Sequence, residues 1–222
     1  MTHSPVEKHF DQVAKSYDSG KEKYSFYYST IKKLLSDLIG PKKIVMEFGC
    51  GTGDLLASLN PKIGIGYDLS PEMIKIAKIR HKSSKNLTFS AILPSNHLNH
   101  YDFIFLTDVI EHLEDVEGTF SEIRKLMNSK TILINTMANP LWEPILMIWE
   151  KLGWKMEEGP HKRISYKDIK ILSDKVGLKI IKHDYKLLVP INIPFITNFA
   201  NTYLEKYLKP LCFIEYFVAV KV

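Results

Sequence analysis

The stretch Glu47-Phe48-Gly49-Cys50-Gly51-Thr52-Gly53-Asp54 decides how this chain reads. It closes the apolar run Lys43–Phe48 (KIVMEF), which predicts a strand, and opens Asp54–Leu59, which predicts a helix. Glycines between a strand and a helix serve a tight turn and leave backbone bare for a ligand to approach. Nineteen residues after Gly49, at the end of the next apolar run, Ile63–Tyr67 (IGIGY), stands Asp68. A carboxylate there can accept hydrogen bonds from both ribose hydroxyls of a bound nucleoside. The dinucleotide fingerprint asks for Gly or Ala at the sixth position, where helix packs on strand. This chain has Asp54 there, which argues against NAD. The bland alternative is a merely glycine-rich turn; the flanking strands and Asp68 oppose it.

Outward from this loop the chain alternates short apolar runs with helical spacing, the pattern of an α/β sheet. Ser70, Pro71 and Glu72 form a clear helix start. Strands are predicted at Asn86–Ser90, Tyr101–Thr107 (YDFIFLT), Thr131–Thr136 (TILINT), Leu178–Lys182 and Phe213–Val222. Helices are predicted at Val116–Asn128 and at Ser165–Val176, the latter closed by Gly177. The expected fold is a Rossmann-like, seven-stranded, mainly parallel sheet with helices on both faces. It forms one domain over residues 1–222, which at 45% hydrophobic and 25% charged can bury a sizeable core. Residues 1–38 read as helices ahead of the sheet. Residues 137–162 and 187–211, rich in aromatics and prolines, read as insertions forming a lid.

Several of these motifs, in this order, resemble the class I S-adenosylmethionine-dependent methyltransferases. EFGCGTG at 47–53 resembles their first motif, GYDLSPEMIKIAK at 66–78 their second and YDFIFLTDVIEHLED at 101–115 their fourth-strand motif. The strand at 131–136 resembles their fifth, and FDQVAKSYD at 10–18 the helix ahead of the core. The resemblance implies that S-adenosylmethionine is the co-substrate and that individual positions hold it. Gly49, Cys50, Gly51 and Gly53 would let the backbone approach its methionine part, with Glu47 near its ammonium group. Asp68 would hold the ribose, Leu69 would pack on adenine, Thr107 and Asp108 would face the methionyl group, and Tyr17 would close over it. These families carry an acidic residue just before the Leu-Pro at 93–94. Ser90-Ala91-Ile92 stands there instead, leaving the adenine contact to backbone at Ile92 or to another group.

Methyl transfer from a sulfonium chiefly requires alignment of the nucleophile, and a hydroxyl acceptor gains from a base near its proton. Asp108, Glu111 and His112 stand at i, i+3 and i+4, on one face if the turn is helical. The triplet resembles the metal ligands of the ubiquinone-pathway O-methyltransferases, and two carboxylates with an imidazole suit a divalent ion. Two other readings stand beside it: His112 as base without metal, or Glu111 and His112 ordering the loop. His161, before the helix at 165, is a second catalytic candidate, against the reading of a surface histidine. Asn139-Pro140 reads as turn chemistry.

The expected activity is O-methylation of a small or lipid-linked acceptor. The alternatives are N- or C-methylation in the same pocket, or a subunit that binds the cofactor without catalysis. Leu141, Trp142, Ile145, Leu146, Ile148, Trp149 and Leu152 predict one broad apolar helix face, and 187–211 adds further aromatics. The insertions read either as a lid packed on itself or as an apolar mouth, which a membrane surface would suit. The basic run Lys75–Lys85 reads as a solvated helix face, and nothing interleaves aromatic and basic residues as an RNA substrate would favour. Two widely spaced cysteines, no signal-like N-terminus and no apolar window of about 20 residues point to a cytoplasmic protein.

Overall fold

The computed structural model describes residues 4–22, 24–94, 100–151, 160 and 162–222. Three helices lead: α1 (Pro5–Val13), α2 (Tyr17–Glu22) and α3 (Ser25–Ile39). Strand and helix then alternate through β1 (Ile44–Phe48), α4 (Asp54–Ser58), β2 (Ile63–Tyr67), α5 (Pro71–Arg80), β3 (Leu87–Ser90), β4 (Phe103–Thr107), α6 (Val116–Leu126) and β5 (Ile132–Ala138). The remainder is α7 (Glu143–Lys151), α8 (Tyr166–Lys175), β6 (Leu178–Lys186), α9 (Ile196–Phe199) and β7 (Ile214–Lys221). The helix starts follow their side-chain caps. Ser70 Oγ accepts from Met73 N at 3.1 Å, Asp115 Oδ1 accepts from Gly118 N at 2.8 Å, and Ser165 with Asp168 closes a capping box.

Among the described residues the strands form one seven-stranded sheet in the order β3-β2-β1-β4-β5-β7-β6. All pairs are parallel except those of β7, which runs antiparallel to both β5 and β6. Strands β1 and β4 are apolar almost throughout because helices cover both faces of the sheet. On one face Ile31, Leu35, Leu56 and Ile74 pack with Val45 and Phe105. On the other, Phe120, Ile123 and Ile169 pack with Met46, Ile104 and Leu133. Strand order reverses between β1 and β4, so the crevice beyond their carboxyl ends is where an open α/β sheet binds ligands.

The sheet outruns the predicted strands at one side: β5 continues to Ala138 and β6 to Lys186. Both extensions lie against Ile214 of β7, which supplies hydrogen-bond partners to each. The single apolar helix expected from Leu141 to Leu152 is divided. Asn139 Oδ1 accepts from Leu141 N at 3.1 Å, setting Leu141 and Trp142 in a separate 3₁₀ turn before α7. Within α7, Leu146 is buried, while Ile145, Met147 and Ile148 face outward. Leu152 lies outside the described residues. No helix among the described residues is long and apolar enough to cross a membrane.

Candidate active site

The glycine loop leaves β1 in left-handed backbone, with φ of 79° at Gly49 and 50° at Gly51. A Cβ at Gly49 would overlap the Cγ2 methyl of Val109, just beyond β4, so glycine keeps these two loops close. At Gly51 a Cβ would come within 3.3 Å of the Tyr17 ring, which lies directly on the loop. Asp68, after β2, holds the loop from below. Its Oδ2 accepts from Gly51 N at 2.7 Å and its Oδ1 from Ser70 N at 2.9 Å. Burial raises the Asp68 pKa, and these two N–H donors oppose the rise. Glu47 is buried at the end of β1 with Oε2 accepting from Leu56 N at 3.1 Å, and burial pushes it up to about 8. The Cys50 side chain is buried within the core, so any part it plays toward a ligand falls to its backbone. Leu69 and Ile92 are exposed at the rim.

Helices α1 and α2 are fastened over this loop by carboxylates. Asp11 accepts from Ser70 Oγ at 2.5 Å and from Glu72 N at 3.3 Å, at the start of α5. Asp18 accepts from Thr52 Oγ1 at 2.7 Å and from Arg80, whose other arm reaches Asp54 at 2.7 Å. The basic run on α5 is therefore partly spent on internal ion pairs, since Lys75 also meets Glu72 at 3.3 Å. Lys21 follows Tyr17 by one helical turn, its ammonium 4.4 Å from the Tyr17 ring centre and 4.7 Å from that of Tyr28. The sequence reading missed Lys21. Its i+4 spacing from Tyr17 was the signal that could have shown it.

Behind Tyr17 opens a cavity of about 870 Å³. Tyr17, Asp108, Glu111 and His112 all line it, so four of the candidates converge there. Its walls are aromatic and apolar: Phe10 and Tyr28 from the leading helices, Leu146 and Trp149 from α7, Ile191 from the second insertion and Phe213 ahead of β7. Among the described lining residues Lys21 is the one lysine or arginine. Asp108 follows β4 at φ 52°, and both its oxygens accept from the Tyr27 hydroxyl, at 2.7 and 2.9 Å. Burial and the Asp108 charge hold the Tyr27 phenol well above its usual pKa, so it stays a donor. Beside Asp108, the buried Thr107 hydroxyl has no hydrogen-bond partner among the described residues.

Among the described residues no three His, Cys, Asp or Glu side chains are grouped to hold an ion. Asp108 and His112, two of the three ligands expected for a divalent ion, have other contacts. Asp108 is turned to Tyr27, and His112 Nδ1 lies 2.9 Å from the Pro160 carbonyl. A carbonyl only accepts, so Nδ1 carries a proton, and in the neutral ring the lone pair is on Nε2. The ring meets Phe10 edge-on at 5.3 Å. His161 lies outside the described residues.

The residues fit an amino-acid-bearing nucleoside: bare left-handed backbone, an anchored carboxylate just after β2, an orphaned hydroxyl at the end of β4 and one ammonium nearby. Comparison with known proteins agrees. A family profile described as a methyltransferase domain matches residues 21–183. An uncharacterized protein of Methanocaldococcus jannaschii is 28% identical over 135 residues, covering 60% of this chain and only 52% of that protein. The chain thus spans about half the length of that relative. A malonyl-[acyl-carrier protein] O-methyltransferase of Priestia megaterium is 24% identical over 194 residues, covering 82% of this chain and 71% of that one. Among solved structures, an S-adenosylmethionine-dependent methyltransferase of Thermotoga maritima superposes with a TM-score of 0.69 at 19% identity, covering 98% of this chain and 100% of that chain.

Proposed function

The chain belongs to the class I S-adenosylmethionine-dependent methyltransferases, and from that premise we propose that it methylates a hydroxyl of a largely apolar acceptor, aromatic or lipid-linked. When bound, S-adenosylmethionine supplies a methyl group already activated on a sulfonium. Gly49, Gly51 and Gly53 offer it backbone, Asp68 its ribose partner, Leu69 and Ile92 an open rim for adenine, and Thr107 a hydroxyl. Lys21 is the cation suited to its carboxylate, and Glu47 the anion suited to its ammonium. Tyr17 stands between this cradle and the cavity, positioned to align the two reactants.

One observation carries the hydroxyl reading: His112 lines an aromatic chamber with Nδ1 tied to the Pro160 carbonyl, which in the neutral ring puts the lone pair on Nε2. A base so oriented takes the proton of an acceptor hydroxyl as the oxygen attacks. The lining of Phe10, Tyr28, Leu146, Trp149 and Phe213 favours a ring or isoprenoid chain. The carboxylates of Asp108 and Glu111 in the same wall support a second reading, in which an amine acceptor is methylated. Localisation in the cytoplasm remains part of the proposal, as does a small-molecule rather than nucleic-acid acceptor.

The test is transfer of labelled methyl from S-adenosylmethionine to a panel of phenols, prenylated phenols and amines. Wild-type protein should label phenols. His112→Ala should lower kcat by about 10²–10⁴-fold with S-adenosylhomocysteine affinity unchanged. Full activity in that variant sinks the base, and labelling confined to amines moves the reading to N-methylation.

A further inference from the structure

In the second insertion Thr197, Asn201 and Glu205 turn inward and satisfy the segment's own backbone, while Asn192, Asn198 and Thr202 are exposed. Asn201 bonds Val189 through both the amide and the carbonyl, at 2.9 and 3.1 Å. Thr197 Oγ1 accepts from Ile193 N at 2.8 Å and donates to the Ile191 carbonyl at 2.6 Å. Glu205 accepts from Leu187 N at 2.8 Å and pairs with Lys186 at 2.7 Å. Its large apolar side chains face out. Ile196, Phe199, Tyr203 and Tyr207 recur every three or four residues along α9 and the π-helical turn Ala200–Leu204, making one exposed stripe. Phe195 ahead of them is 91% exposed. Among the described residues, every Phe or Tyr with an exposed side chain lies in this segment. A water-facing surface has the opposite arrangement, so water is not the medium this face is built for.

The charges say which medium is. Between 187 and 211 the one acidic residue, Glu205, is paired with Lys186, Lys209 is exposed but paired with Asp184 at 2.6 Å, and Lys206 is exposed. Lys206 lies 4.8 Å over the Tyr207 ring. Aromatic rings with lysines at their rim suit a bilayer interface, where rings enter the headgroup zone and ammonium groups meet lipid phosphates. The same insertion reaches the cavity, because Pro190, Ile191 and Asn192 line it. Opposite, α7 sends Leu146 and Trp149 into the cavity while Ile145 and Ile148 face outward.

We propose that this face, 191–211 with the outer side of α7, seats the protein on an anionic lipid bilayer with the cavity mouth at the interface. A lipid-linked acceptor would then reach His112 without crossing water; that last step rests on the proposed function, whereas the docking does not.

Sedimentation with vesicles tests it, using phosphatidylcholine alone and phosphatidylcholine mixed with phosphatidylglycerol. The full chain should bind the anionic vesicles about tenfold or more tightly, and salt should weaken the binding. The triple variant Phe195→Ser, Phe199→Ser, Tyr203→Ser should lose vesicle binding, and Lys206→Glu should lose only the preference for anionic lipid. Both should bind S-adenosylhomocysteine as wild type does, which shows they are folded and keeps failure of docking distinct from failure of the methyltransferase reading. The proposal is overturned if wild-type protein binds neither vesicle or if the triple variant binds as well as wild type. Dimerisation abolished by the triple variant, without vesicle binding, would instead make the face a contact between copies.

Discussion

Glu47 and Lys21 are the acidic and the basic residue near the glycine loop, and each carries a prediction about the amino-acid end of the ligand. Burial pushes Glu47 from the ordinary carboxylate value of 4.5 to about 8, with Lys21 and the Leu56 N–H pulling the other way. The sign is the reverse of the common acidic case. Between those pH values the folded chain keeps a proton that the unfolded chain loses, so this group's contribution to stability falls as pH rises through the window. A bound ammonium would favour the ionised form. S-adenosylhomocysteine binding at pH 7 should therefore release about one proton, seen as a calorimetric enthalpy that varies with buffer, and Glu47→Gln should abolish the variation. Lys21→Met should weaken S-adenosylhomocysteine binding by about 1–3 kcal/mol and leave 5′-methylthioadenosine, which lacks the carboxylate, unaffected. Equal losses for both ligands would make the lysine a purely structural prop for Tyr17 and Tyr28. Tyr27 had no local signal at all. Its partner, Asp108, is 81 residues away, and only the finished fold brings the hydroxyl to the carboxylate.

Among the elements, α1 and α2 are held chiefly by polar contacts. Neither helix contains a fully buried residue. What docks them is Asp11 on the start of α5, and Asp18 shared between Thr52 and Arg80. Arg80→Ala should loosen α2, speed amide exchange there and weaken S-adenosylhomocysteine binding several-fold, while β4 and β5 keep their protection. Unchanged affinity would mean that Tyr17 and Lys21 are placed by packing alone. The rest of the element pattern was legible because its causes are local: apolar runs for the strands, and Ser70, Asp115 and Ser165 as caps. Long-range pairing was not. The extra length of β5 and β6 comes from β7, some 80 and 30 residues on in sequence, and the break before α7 comes from Asn139 acting as a cap rather than as a mere turn residue.

Taken whole, the molecule divides its labour between a rigid sheet and a light cover. The sheet ends supply Glu47, Asp68 and Asp108, which stand in or just after β1, β2 and β4. The cover supplies Tyr17, Lys21 and Tyr27, and its first two helices contribute little to the core. Removing residues 1–24 should therefore leave cooperative unfolding in place, because the packing of α3 and the sheet does not depend on them. The shortened chain should nevertheless lose the response to ligand. For the full chain, S-adenosylhomocysteine at a hundred times its Kd stabilises by about 2.7 kcal/mol, a rise in Tm of about 5–10 °C for a chain of this length. The truncated chain should show a rise under about 2 °C at the same concentration. If instead it keeps the full rise, the glycine loop and Asp68 bind the ligand unaided, and the leading helices serve the acceptor cavity alone. If it fails to fold, α1 and α2 belong to the core after all, and their polar fastenings understate what holds them.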